Sequence, residues 1–237
     1  EIGILMAVVD HAALALEQVR QDGAARGEES DELRLAAVML LAEALDLRDP
    51  STALHSHTVG RLARRTAIEL GLPDARVERV HAAGVLHDLG KLGISDAILH
   101  KPGKLDDGEW REMRRHPEVG ARILEHAGMR DISGWVRAHH ERIDGQGYPE
   151  ALAGEAIPLE ARILSVADSY EAMIADRPYR AGMGEEAARE ELVRCAGTQF
   201  DLRVLDAFRR ALDQEEQGED EDALEPVGAP AVIVQQA

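Results

Sequence analysis

The sequence is poor in cysteine, in aromatic residues and in long apolar runs, and each scarcity closes off a class of protein. Cys195 is the single cysteine, which excludes an intrachain disulfide and a thiolate zinc cluster and fits a reducing compartment. Aromatics are 3% of the residues and β-branched runs are few, which argues against a sandwich or a barrel. No stretch approaches the ~18 uncharged apolar residues that read as a membrane span. The opening segment GILMAVVDHAALALEQVR contains Asp10 and Glu17, lacks a basic start and has no cleavage-like site, so it is not read as a signal peptide. A cytoplasmic location is the expectation. The chain begins with Glu1 rather than Met, as a piece of a longer protein would.

What is present points to helix. Hydrophobic residues make up 45% of the 237, drawn mainly from Ala, Leu and Val and set among Arg and Glu, and straight-chain residues lose little rotamer freedom in a helix. The length suits one domain with extensions, and the fold class expected is all-α. The formal charge is −18, which disfavours a nucleic-acid polymer or an anionic membrane as partner. Seven acids lie from Gln214 onward, where there is no Lys or Arg, so the body is nearer −11. An acidic protein that handles an anionic substrate must reverse its field locally, with metal ions or placed Arg and Lys.

Along the chain, residues 2–20 read as a helix with Ile2, Leu5, Val9, Ala12, Leu16 and Val19 on an a/d stripe. A polar run, 21–30, breaks it. A second helical stretch, 31–47, carries Leu33, Ala37, Leu40, Leu41 and Ala44 on one face, and Asp49-Pro50 ends it. Helices then follow over 52–70, 76–89, 106–115, 117–127, 132–140, 159–175, 185–194 and 201–213, separated by Gly and Pro. The third opens with Asp106-x-x-Glu109, a capping-box pattern. The division expected is an N-terminal helix and linker over 1–30, a domain over 31–213 and a disordered acidic tail over 214–237.

The chemistry lies in the histidines. His87-Asp88 ends the apolar run AAGVLHDLGK, His116 precedes Pro117 at a helix boundary, and His139-His140 ends another helix. Asp168 lies in the otherwise apolar ILSVADSYEAM, where an unpaired carboxylate is expensive to bury. Any one of these histidines would ordinarily be a cap or core residue; the joint pattern is what argues for metal. Imidazole and carboxylate without thiolate suit Fe, Mn, Co, Ni or Zn in a catalytic site. Two ions about 3.5–4 Å apart would clamp both the attacking and the leaving oxygens of a phosphoryl displacement.

In order, HDLGK (87–91), KPG (101–103), HPEVG (116–120), HHERIDGQGYP (139–149) and VADSYEAM…RPYR (166–180) resemble the HD-GYP class of the HD phosphohydrolase superfamily, bacterial phosphodiesterases that degrade cyclic di-GMP. The resemblance covers about 45–210 and includes DPSTALHSHTVGRLA (49–63). It implies an HD-type helical bundle and metal ligands at His55, His87, Asp88, His116, His139, His140 and Asp168, with His57 at a variable position. Lys91 matches the catalytic-site Lys, one turn from His87 if the helix persists there. Arg177 and Arg180 match residues that hold substrate phosphate, with a solvated loop as the alternative. Gly145, Gly147, Tyr148 and Pro149 resemble a rigid turn at the mouth of the site. Some members hold a third metal through a Glu where this chain has Ser51, so two divalent ions, Fe or Mn, are expected. The end of the N-terminal helix, ALALEQVR (13–20), is similar to the last helix of a GAF sensor module; an ordinary dimerising or packing helix is the alternative.

The resemblance therefore implies a metal-dependent phosphodiesterase producing pGpG or GMP from cyclic di-GMP, with Asp88 between the ions, homodimeric through the N-terminal helix and fed by an upstream sensor. The rivals are a hydrolase of another nucleotide such as cyclic GMP-AMP, a module that senses the dinucleotide without cleaving it, and a helical bundle whose histidines are structural.

Overall fold

The computed structural model describes residues 35–216 except 37, 44, 46, 47, 49 and 177–180, with the backbone alone at 50–53 and 216. The N-terminal helix over 2–20, the side chain of Ser51, Arg177, Arg180 and the segment beyond 216 lie outside the described residues. Among those described there is no strand, and the one strand-like feature is an isolated bridge between Ala196 and Phe200.

The described residues from 35 to 48 are helical. They are followed by α1 (Pro50–Glu69), α2 (Asp74–Leu86), a 3-10 turn (Leu89–Gly93), α3 (Asp96–Leu99), α4 (Asp107–Met113), α5 (His116–His126), α6 (Arg130–Ala138), a second 3-10 turn (Gly154–Ala156), α7 (Leu159–Ile174), α8 (Glu185–Arg194) and α9 (Leu202–Glu216). α1 is central: it packs on α2, α7 and α9, while α5 lies against α6 and the first 3-10 turn. No described helix is long and apolar enough to cross a membrane.

The ends of the apolar stripes decide where the polar groups go. On α1 the buried residues His55, Val59, Leu62 and Thr66 follow a 4,3,4 spacing, and Val77, Val80, Gly84 and His87 continue one stripe through α2. Ile132, Val136 and His139 form the same kind of row on α6, as do Glu160, Leu164, Ala167 and Glu171 on α7. Burying these stripes against Leu86, Leu124, Ile163 and Phe208, all almost fully buried, brings the terminal imidazoles together. Deleting such a side chain, as in Leu124→Ala, costs about 2–5 kcal/mol.

Several boundaries differ from those read in the sequence. The second helix ends at Leu86 rather than Leu89, and the chain tightens into the 3-10 turn. A Cβ at Gly90 would lie 1.8 Å from the His116 carbonyl oxygen, so this turn is pressed backbone to backbone on the start of α5. The short α3 carries no apolar period of its own, so nothing in the sequence marks it. α9 runs three residues into the segment assigned to the tail, because Glu215 pairs with Arg61 and, at 2.7 Å, with Arg65 on α1. In the helical residues before α1, Leu40 is exposed and Val38, Leu41, Ala42 and Leu45 are buried, so the inward face is rotated from the one expected. The capping box at Asp106 and Glu109 is present, with Asp106 accepting from the amides of Gly108 and Glu109.

Candidate metal centre

The structure brings His55, His87, Asp88, His116, His139, His140 and Asp168 to one place from five elements. Ligand atoms of His55, His87 and Asp88 lie within 4.8 Å of one another, as do those of His87, His139 and Asp168 and those of His116, His139 and His140. Asp88 joins the sets. Its Oδ2 is 3.4 Å from His87 Nε2 and 3.8 Å from His55 Nε2, and its Oδ1 is 3.4 Å from His116 Nε2. Asp168 Oδ1 is 3.3 Å from His55 Nε2 and 3.8 Å from His87 Nε2.

Backbone carbonyls aim three of the rings. The Nδ1 atoms of His87, His116 and His139 lie 2.7, 2.8 and 2.5 Å from the oxygens of Gly84, Met113 and Val136. A carbonyl only accepts, so each Nδ1 donates its hydrogen and each Nε2 presents a lone pair to the centre. The Nε2 atoms of His116 and His139 are buried and make no hydrogen bond. An orphaned buried acceptor is costly, and a divalent cation satisfies it. The donor set, imidazole with carboxylate and no sulfur, fits such ions.

The electrostatics divide the centre. Burial pushes the His139 pKa well below its ordinary value and the His140 pKa down to about 3, with the neighbouring imidazoles adding to the effect. His116 is lowered for the same reason. At His55 burial works in the same direction, but hydrogen bonds to Asp168 and Glu171 and the charge of Asp88 outweigh it and raise the pKa to about 9. Burial would neutralise Asp88, yet Lys91 and the surrounding imidazoles hold it well below the usual carboxylate range. Asp168 is depressed likewise, burial being outweighed by His55, His87 and His140.

Lys91 reaches the centre by a different route from the one expected. The helix does not persist to residue 91; the 3-10 turn instead places Lys91 Nζ 2.5 Å from Asp88 Oδ2. Tyr148 stacks on His140, ring centroids 4.8 Å apart, and burial together with the charges of Asp168 and Asp88 raises its pKa. Gly147 lies so close to the preceding strand of chain that a Cβ there would come within 2.5 Å of Glu141 Cα. His57 is exposed, whereas His55 is buried in the centre.

Sequence reasoning missed three supporting residues. Glu171, 5% exposed, binds His55 Nδ1; the argument that singled out Asp168 in an apolar helix applied equally one turn further on. Glu141, in the same HHE run, accepts from the amides of Glu150 (2.7 Å) and Leu152 (3.0 Å) and so ties down the loop that carries Tyr148. Arg48 donates to the carbonyls of Lys91, Leu92 and Ile94 at 3.2, 3.1 and 2.5 Å and to Asp96. Nothing in its sequence neighbourhood marked it, because its partners are more than 40 residues away.

A family model described as HD domain matches residues 39–204. The chain belongs to the HD domain family. Among curated proteins, the chain is 41% identical over 212 residues to the cyclic di-GMP phosphodiesterase response regulator RpfG of Xanthomonas campestris, covering 88% of this chain and 55% of that protein. It is 37% identical over 177 residues to a 3'3'-cGAMP-specific phosphodiesterase of Vibrio cholerae, covering 73% of this chain and 34% of that protein. The chain thus spans about half or less of the length of these relatives. A solved HDG"Y"P protein from Bdellovibrio bacteriovorus shares the fold, with a TM-score of 0.58 at 16% identity over 87% of this chain and 70% of that one.

Proposed function

We propose that this HD domain is a metal-dependent phosphodiesterase that hydrolyses cyclic di-GMP to pGpG, GMP or both. One observation carries the reading: a buried carboxylate, Asp88, has one oxygen among the imidazoles of His55 and His87 and the other beside His116, the disposition of a group shared by two ions. His55, His87, Asp88 and Asp168 would hold one ion, and Asp88, His116, His139 and His140 the other. This thiolate-free set of imidazoles and carboxylates accepts Fe, Mn, Co, Ni or Zn, and Fe and Mn are the ions proposed here. Bound there, they supply Lewis acidity and a water acidified towards neutral pH.

The chain's own groups do the rest. Lys91, held against Asp88, places a positive charge where the phosphate and leaving oxygen would accumulate negative charge. The carbonyls behind His87, His116 and His139 fix their tautomers, so no ring must reorganise. Tyr148 walls the mouth beside His140, and Arg177 and Arg180 would hold substrate phosphate by bidentate contacts. The names of the relatives support the substrate class.

A second reading, cyclic GMP-AMP as substrate, is favoured by the relatives named as specific for it. We also propose that residues 31–213 form the catalytic unit, that the N-terminal helix joins two copies and links to a sensor, and that the protein works in the cytoplasm. Purified protein loaded with manganese or iron and offered cyclic di-GMP, cyclic GMP-AMP and mononucleotide substrates, with product analysis, tests the assignment. Metal-dependent turnover of cyclic di-GMP that is lost in Asp88→Ala is expected; undiminished activity of that variant would sink it.

A further inference from the structure

The aromatic wall of the centre does not stop at Tyr148. Arg114, in the turn after α4, holds its guanidinium carbon 5.3 Å from the Tyr148 ring centroid and 6.0 Å from that of Trp110. His140, Tyr148, Arg114 and Trp110 therefore form one continuous stack, running from an imidazole of the centre to the surface. Trp110 is 47% exposed. It lines a cleft of about 740 Å³ together with Ser169, Ala172 and Met173 of α7, Glu191, Cys195 and Phe200. Ser169 follows Asp168 and Ala172 lies one helical turn on, so this side of the cleft belongs to the helix that carries Asp168. Among the described residues no carboxylate pairs with the Arg114 side chain, which is exposed.

A half-exposed indole next to an exposed guanidinium without a carboxylate partner is suited to a nucleobase next to a phosphate. Indole stacks on any base, because every base has a π face, and the guanidinium fork matches phosphate oxygens. In a chain of net charge −18, a cation held open at this point favours an anionic ligand. We propose that Trp110 and Arg114 form a subsite for the nucleotide half of the substrate remote from the scissile bond, Trp110 stacking on its base and Arg114 holding its phosphate. The proposal rests on the cyclic-dinucleotide reading above and names residues that reading does not use.

The chain has two tryptophans, and the other, Trp135, is packed in the core. In manganese-loaded Trp135→Phe protein, rapid mixing with cyclic di-GMP should give a saturable quench of Trp110 emission before the first turnover. Inorganic phosphate, an anion without a base, should not. If Trp135→Phe folds poorly, the difference in quench between wild type and Trp110→Ala gives the same quantity. Arg114→Gln should weaken the binding read by the quench roughly tenfold. In the holoenzyme, Trp110→Ala should raise KM for cyclic di-GMP roughly tenfold, with a smaller change in kcat and full metal content. No quench, an equal quench by phosphate, or a KM within about twofold of wild type overturns the subsite. Absence of any cyclic-dinucleotide turnover in wild type would instead overturn the functional reading, and the quench, which requires no turnover, still decides the subsite.

Discussion

The two halves of the centre share Asp88 but are built from opposite materials. The half around His55 and His87 includes Asp168 and is backed by Glu171, and there carboxylates outweigh burial and hold a proton on His55 up to about pH 9. The half around His116, His139 and His140 also feels the charges of Asp88 and Asp168, but its rings stay neutral because burial, reinforced by the repulsion of neighbouring imidazoles, outweighs both. The same residue type thus behaves in two ways within about two ring diameters, as the centroid spacings of 5.2 Å and 5.5 Å between neighbouring imidazoles indicate. One half is set to receive a cation as it stands, whereas the other must exchange a proton for it.

The largest effect should come from breaking the shared group. Asp88→Ala is expected to release both ions and lower turnover on the order of a thousandfold or more, while His55→Ala and His116→Ala should each lose about one ion as read by elemental analysis. If either histidine variant loses both, the halves do not load separately and the comparison fails. Lys91→Ala should come next, lowering kcat on the order of a hundredfold with both ions retained. Loss of metal in that variant would assign Lys91 to holding Asp88 rather than to the reaction.

Glu171→Gln sharpens the contrast by acting on one half alone. Metal affinity at the His55 side should fall about 10–100-fold while the His116 side is unchanged, as measured by competition with a chelator. The smallest effect is in pH. His55 has its pKa raised to about 9, so it is protonated at neutral pH and the proton must leave when a metal binds. Affinity at that half should therefore rise about tenfold per pH unit up to about pH 9 and level off above it, with about one proton released in calorimetry repeated across buffers. The His116 half, with His139 and His140 already neutral, should show little dependence above pH 7. Equal slopes for the two halves would contradict the assignment.

Much of this was present in the sequence. The all-α class followed from composition and from the 3.6-residue periodicity, and helix positions from Gly and Pro punctuation, since both are local properties of the chain. The residues that meet in the centre were visible because a histidine or aspartate at the end of an apolar stripe is conspicuous, and the ordered motifs implied the rest. Errors clustered where non-local contacts decide: the end of α2, set by the approach of Gly90 to His116; the length of α9, set by Glu215 reaching α1; and the exposed Leu40, set by which side of its helix meets the core.

Sequence by itself determined which groups this protein can bring to bear: seven histidines and aspartates in motif order, a lysine beside one of them, and no thiolate. Only the tertiary structure decided how those groups differ from one another. Burial, carbonyls three residues back, and partners such as Glu171 and Arg48, distant in sequence from what they support, set which imidazoles are neutral, which holds a proton and where Lys91 points. Protonation and orientation depend on desolvation and on charges brought near by folding, and neither is a property of a residue's place in the chain.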